Sequence, residues 1–500
     1  MKKSLILMAS LFVLATGGAS AQYSETNNLF YFSQRSPESN MLNPAFFPSS
    51  NTFFLKLPTV GVQFGLPLAF SDMVYYDPES DMNVISYDYM LENLQNNSQF
   101  RLGADVNLLG FGFRVHNLFF DFNTQLHFNL NLGLPVDILS FLAKGNVDAN
   151  NQPIPEVMLL DGDFFNTQAY LETSVGAGYT LPFIPLTVGA HVKMLSGLFN
   201  MQMDNTRVTF NTSEGFDTVS AHVYYEIMAS SIAPVDTTGG VTAIPGNMIN
   251  SMVQHPMDIV KSLFDLNGNT GLAFDIGAKY QLGPFTFSAS INDLTAGIHW
   301  QRNIVGFVPE GGMVPIDMNG LDLNEFIDNG SINVDTLGKY FKEQLKKMNP
   351  KLVTDANDYW FSIPTKMNLA TTVNLGILKA GVLFHGQWDR GLMSRKNVTQ
   401  LDWDDNVKNT FRFNTTISAG LNLFNWAELI LASSVVSDGN KISPLNPGLG
   451  FIFTPGTFFQ TYFMLDYASS IYLADMKAFN IKAGFNILIG GGGKRRILGF

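Results

Sequence analysis

Five hundred residues with only 14% charged side chains, against about 25% in ordinary soluble domains, leave too little charge to cover a conventional globular surface. Zero cysteines exclude a disulfide scaffold, a thiolate metal site, a cysteine nucleophile and a lipid anchor on an N-terminal cysteine. A net charge of −12 repels polyphosphate and argues against nucleic acid as a partner.

Along the chain, Lys2 and Lys3 form a positive n-region, Leu5 to Ala15 an apolar h-region and Ala19-Ser20-Ala21 an A-x-A site. Residues 1–21 therefore read as an export signal cleaved before Gln22. Residues 22–52, rich in Asn, Ser and Pro, form an N-terminal periplasmic or plug segment. No later stretch approaches the roughly 20 apolar residues of a spanning helix. The mature chain is thus either soluble in the periplasm or a β-barrel in an outer membrane.

Alternation decides between them. Leu118, Phe120, Phe122, Thr124, Leu126, Phe128, Leu130 and Leu132 interleave with Phe119, Asp121, Asn123, Gln125, His127, Asn129 and Asn131, which puts an apolar and a polar set on opposite faces of one long strand. The same period recurs from Phe411 to Leu423 and from Phe479 to Ile489. Strands of about 9–11 residues or more with one greasy and one polar face suit a lipid-facing wall around a wet lumen.

Strands are predicted at 53–70, 101–113, 118–132, 167–181, 185–197, 271–281, 285–300, 361–374, 377–389, 409–423, 427–437, 447–454, 458–467 and 478–489. Short and long connections alternate between them, as periplasmic turns and extracellular loops do in such barrels. The fold class is all-β: a transmembrane antiparallel barrel of about 14 strands over 53–489, with an N-terminal plug, long and partly helical extracellular loops and a periplasmic tail at 490–500. The even count leaves both termini on the periplasmic side. A further hairpin within 201–229 is assigned outside the membrane; in the wall it would raise the count to sixteen. Trp300, Trp360, Trp388, Trp403 and Trp426 fall at or near strand ends, where interfacial aromatics belong.

Helical spacing appears in the loops at Asp335 to Met348, and more weakly at Pro135 to Lys144 and Met248 to Phe264. Chemistry-bearing motifs are missing. The seven histidines show no metal spacing, there is no G-x-S-x-G elbow, and Asp265 to Asn269 lacks the glycine and glutamate of a calcium loop. Asp402-Trp403-Asp404-Asp405 reads as an acidic loop, and Gly490 to Gly493 lacks the spacing of a phosphate-binding loop. No enzyme, metal or cofactor is expected. The informative set is the polar phase of the strands: Arg101, Asp105, Asp121, His127, Glu172, His191, Lys193, Asp275, Lys279, Lys366, His385, Arg412, Glu428 and Lys482 are assigned to the lumen lining. Mixed signs argue against a strongly ion-selective pore and suit an interior closed by ion pairs. Simple solvation of the interior and a part in gating both remain open for them.

Asn43-Pro44-Ala45, shortly before the first strand, resembles the corresponding segment of the long-chain fatty-acid transporter (FadL-like) superfamily of outer-membrane barrels. Gly271 to Tyr280, Phe287 to Leu294 and Ile298-His299-Trp300 are similar to a Bacteroidota branch of such barrels known chiefly as a domain of unknown function. The resemblance implies a plug turn at Asn43, Pro44 and Ala45 and lateral or axial passage of hydrophobic molecules. It also implies outer-membrane lipid around the wall and barrel-assembly machinery during biogenesis. The expected function is passive uptake of a hydrophobic or amphipathic small molecule. The alternative is a surface or secretion-associated scaffold that binds protein through its loops, as relatives of the fold do in type IX secretion.

Overall fold

The period-two stretches form one antiparallel sheet that closes on itself. The computed structural model describes residues 28–47, 53–66, 68–78, 81–85, 99–133, 156–162, 165–212, 219–238, 265, 268–310, 314–317, 327–328, 331–332, 350–353, 356–389, 410–423, 426–437, 442–470 and 472–490, with isolated positions between 244 and 254. Fourteen wall strands make a closed circuit. They are β1 (Phe53–Lys56, continued by Thr59–Gly65), β2 (Gln99–Val115), β3 (Leu118–Gly133), β4 (Phe165–Thr180), β5 (Leu186–Thr212), β6 (Thr270–Leu282) and β7 (Phe285–Leu294). The second half comprises β8 (Thr365–Leu375), β9 (Leu378–Asp389), β10 (Thr410–Leu423), β11 (Ala427–Ser437), β12 (Ile442–Phe453), β13 (Phe459–Ala468) and β14 (Ala478–Ile489). Each pairs with the next, and β1 closes the ring by pairing with both β2 and β14. The chain is an outer-membrane β-barrel: closure removes every free strand edge from the wall, which lipid requires.

The alternation sorts side chains as the sequence demands. On β3, Phe119, Asp121, Asn123 and Gln125 point inward and are buried, while Leu118 and Phe120 stand on the outer surface. Ile276, Leu369, Ile417, Leu431, Phe463 and Phe485 continue this apolar exterior around the ring. Trp360, Trp388 and Trp426 are exposed at strand ends, as interfacial anchors should be. Two of the tight turns start on a left-handed glycine, Gly283 (φ 56°) and Gly376 (φ 87°), the conformation that two-residue hairpin loops need for their twist to match the strands. Such short turns mark the periplasmic end.

Several expectations change in detail. The first strand is interrupted at Leu57-Pro58, where proline has no N–H to give the ladder. β5 is far longer than expected, running unbroken for 27 residues. Its periplasmic half pairs with β6, and its outer half from Phe199 to Thr212 pairs with Val219–Ser231. That hairpin lies beyond the wall circuit, so the count stays at fourteen. The stretch expected as one strand at 285–300 leaves the wall after Leu294, because Asp293 and Thr295 take positive φ angles of 59° and 58°. Beyond this break Gly297–Trp300 pairs with Tyr359–Ser362 and folds into the mouth of the barrel. Trp300, expected at an interface, is therefore fully buried. Trp403 and the helices expected at 335–348 and 135–144 lie outside the described residues, as does most of 248–264.

Candidate functional site

Residues 28–47 occupy the lumen at its periplasmic end. A short 3-10 turn (Asn28–Phe32) and one helical turn (Ser39–Leu42) are too small to fold alone, and wall residues supply their partners. Leu29, Phe30, Tyr31, Phe32, Leu42 and Phe46 pack on Ala370, Leu383, Ile430, Ile452, Tyr462 and Met464. Lower down, Phe47 meets Phe54, Phe119 and Leu488. Polar contacts fix the register of this plug. Leu29 N–H donates to Asp466 Oδ1 at 2.8 Å, and Ser290 Oγ donates to Leu42 O at 2.7 Å. Asn486 Nδ2 donates to Glu38 Oε2 at 2.9 Å, and Ser33 Oγ to Glu428 Oε2 at 2.8 Å.

Asn43, Pro44 and Ala45 form the turn of this segment, and each residue type has a physical reason. Asn43 Oδ1 accepts from Ala45 N–H at 2.9 Å, an Asx turn. Its Nδ2 donates to Tyr31 Oη at 2.9 Å and to the wall carbonyls of Ala278 and Ala289 at 3.3 and 3.2 Å. An aspartate could accept the first bond and donate none of the others. Pro44 sets φ for the turn. Ala45 is wholly buried. The wall makes space on its side too: a Cβ on Gly189 would lie 2.1 Å from Pro44 O, and one on Gly277 would lie 2.1 Å from Asn43 Oδ1. Asn43→Ala removes the buried donor that bridges β6 and β7 and is expected to cost about 1–3 kcal/mol of plug docking. Limited proteolysis should then cut the N-terminal segment while sparing the barrel.

Above the plug the inward charges join into one network. Lys193 on β5 is its centre, with Asp293 at 2.7 Å, Asp275 at 3.0 Å and Glu172 at 3.4 Å. Asp275 also contacts His191 at 3.2 Å, and His191 contacts Asp121 at 3.2 Å on its other nitrogen. Glu172 leads to His127 at 3.6 Å, His127 to Asp105 at 4.0 Å, and Asp105 to Lys482 at 3.2 Å. Lys366 reaches the second oxygen of Asp293 at 3.2 Å. Ten of the side chains so joined come from β14 and from β2 to β8. Strand alternation delivers them to one side of the wall, and adjacent strands bring partners to within one inter-strand spacing of about 4.8 Å. Register shows this directly: Asp105 lies opposite His127 and His127 opposite Tyr170, whose ring stacks on the imidazole at 4.7 Å.

The remaining residues assigned to the lumen lie nearer the plug. Glu428 is fully buried and receives Lys379 Nζ at 2.5 Å, with Arg35 of the plug at 3.9 Å. His385 Nδ1 lies 2.7 Å from Asn368 Oδ1, and Asn368 Nδ2 donates to Leu42 O. Lys279 sits over the Phe46 ring at 5.9 Å. Arg101 shares the face of β2 that carries Asp105 and is half-buried. Arg412 lies opposite Gln387, and its side chain is outside the described residues.

Sequence reading missed Asp293, Lys379, Glu38 and Asp466. Lys379 was accessible, being in phase with His385 on β9. Asp466 was not, because it is the extra residue of a bulge that shifts the phase of β13. Asp293 was treated as mid-strand, whereas it is the point at which the strand turns inward. Its backbone N–H donates to Asp275 Oδ1 at 2.8 Å, so the network that holds Lys193 also fixes the break.

Above the plug, among the inward side chains of the wall, lies a cavity of about 100 Å³. Phe30, Met41 and Leu42 of the plug line its floor, and polar side chains such as Gln63, Gln125, Asn129 and Asn292 line its walls. Tyr170 at its edge also belongs to the apolar cluster built on Trp300, where Tyr359, Ile298, Ile363, Leu195 and Met228 meet. Among the described residues no group of three or more His, Asp or Glu side chains is placed to hold a metal ion.

The family model described as a family of unknown function (DUF5723) matches residues 44–466. The chain belongs to this family. The expected kinship with a domain of unknown function is thereby met, and the match takes in every wall strand from β1 to β12 and most of β13. No curated protein matches the chain. Among solved structures it is similar to the Ralstonia pickettii toluene transporter TbuX, at 12% identity, with 90% of this chain and 93% of that one covered and a TM-score of 0.44. It is also similar to a Pseudomonas aeruginosa FadL homologue, at 9% identity, 94% and 98% coverage and a TM-score of 0.42. The P. putida toluene transporter TodX follows at 10% identity, 94% and 95% coverage and a TM-score of 0.41.

Proposed function

We propose that this family member admits a small amphipathic molecule to the periplasm by passive passage, with the plug as the moving part. The observation that carries the reading is the cavity above the plug: polar walls and an apolar floor on Phe30, Met41 and Leu42, with the Tyr170 ring at its edge. A pure hydrocarbon would leave Asn107 Oδ1, which accepts no hydrogen bond within the protein, without a partner, at about 1–3 kcal/mol for a group stripped of water, so the amphipathic branch of the expectation is the better supported. A fully hydrated ion meets both signs of charge along its way, which favours neither anion nor cation flow. The plug is held by hydrogen bonds and aromatic packing with no covalent tie, so it can move aside and return.

Extraction in mild detergent followed by mass spectrometry of retained small molecules tests this. An amphiphile held by the wild type and lost on deletion of residues 23–50 is the expected result. An empty barrel that instead brings down a defined protein through its loops would replace uptake with the scaffold reading.

A further inference from the structure

The cavity has one unfilled acceptor beside a loosely paired carboxylate, and its lysines are all engaged. Asn107 and Glu172 are 97% and 95% buried, at 3% and 5% relative exposure, and both line the cavity. Asn107 Oδ1 accepts no hydrogen bond within the protein, and Glu172 Oε1 is held only by its 3.4 Å ion pair with Lys193. They belong to one inward row, because Asn107 lies opposite Gln125 and Gln125 opposite Glu172 in the ladder. Each lysine of the cavity is already committed. Lys193 contacts three carboxylates, Lys366 binds Asp293 and Lys482 binds Asp105. Five carboxylates face three lysines across the network, with His127 and His191 as the only further basic groups within it. An anionic head entering here would have to displace a carboxylate from its lysine. A donor-rich cationic head would fill Asn107 Oδ1, give Glu172 Oε1 a hydrogen bond beside its long contact with Lys193, and add to the positive side of the balance.

We propose that this cavity is a binding site for small primary amines with a short apolar body, the ammonium seated on Glu172 and Asn107 and the apolar part on Phe30 and Leu42. The assignment rests on the uptake reading for the origin of the solute, but binding and passage are separable. A buried ammonium is stable only when paired and hydrogen-bonded, and the Glu172–Asn107 row supplies both. Tyr170, stacked on His127 at the cavity edge, adds an aromatic face to which a cation is attracted.

The test compares three probes of similar shape: 2-phenylethylamine, 2-phenylethanol and 3-phenylpropionate. Binding to the full-length protein in detergent is measured by calorimetry, and passage by flux into proteoliposomes. The amine should bind about tenfold or more tightly than the alcohol, and the carboxylate more weakly than either. Glu172→Gln should remove the preference for the amine. Asn107→Leu, which leaves every ion pair in place, should reduce it, and folding of both variants is checked by heat-modified gel mobility. Equal affinity for the three probes, or an amine preference unchanged in both folded variants, would overturn the site. Passage without head-group preference overturns the site and keeps uptake, whereas amine binding without passage keeps the site and overturns uptake.

Discussion

Replacing Lys193 with methionine should destabilise the barrel by about 3–5 kcal/mol, the range expected when one partner of a buried ion pair is removed. Lys193 holds Glu172, Asp275 and Asp293 together inside a lumen where its own side chain is 4% exposed. Methionine fills similar volume, so the loss is electrostatic rather than a packing void. Glu172 of β4 and Asp275 of β6 would then lose their lysine, and Asp293 at the β7 break would keep Lys366 alone. Unfolding in urea, followed by the heat-modified mobility of the barrel, measures the effect. Adding Glu172→Gln to Lys193→Met should return part of the stability, because it removes one of the uncompensated charges. If the double variant is no more stable than the single one, the three contacts do not act as a unit.

The second large effect is electrical. Gly189→Val places a side chain on β5 where its Cβ would lie 2.1 Å from Pro44 O and 2.5 Å from Pro44 C. The wall ladder holds Gly189 between Gly178 and Gly277, so the plug turn is the part that gives way. Planar bilayers carrying the variant should show frequent openings where the wild type is quiet. Gly420→Ala is the control, since its nearest neighbour, Lys379 Cβ, lies at 3.4 Å and needs no movement. Equal quietness in all three proteins would mean that the turn does not close the lumen.

The barrel was legible because its rule is local. Lipid on one side and water on the other force every wall strand into a two-residue period, and the Leu118 to Leu132 stretch shows it without any knowledge of neighbours. Inward residues such as Asp121, His191 and Lys193 followed from the same count. What the count could not supply was partnership, because Lys193 meets Glu172, Asp275 and Asp293 through pairings set by register across several strands. Nor could it see where the period stops. The left-handed backbone at Asp293 and Thr295 turns an apparent strand into the barrel's mouth and takes Trp300 inside with it. Neither residue is a glycine, so no local signal marked the break. The plug turn lay between these cases: Asn43-Pro44 announces a turn, but its carboxamide bonds to Ala278 and Ala289 depend on chain more than two hundred residues away.

The 27 residues of β5 bear on how the cell surface meets this protein. At about 3.3 Å per residue, its outer portion carries the sheet past the wall circuit, paired with Glu156–Gly162 on one side and Val219–Ser231 on the other, the latter flanked in turn by Val305–Pro309 and Val314–Asp317. A macromolecule approaching from outside meets this sheet extension before the rim of the wall. Tyr225, Ile227 and Met228 of this extension are buried, so substitutions there strike packing outside the fourteen-strand ring and leave the ring's own ladder intact.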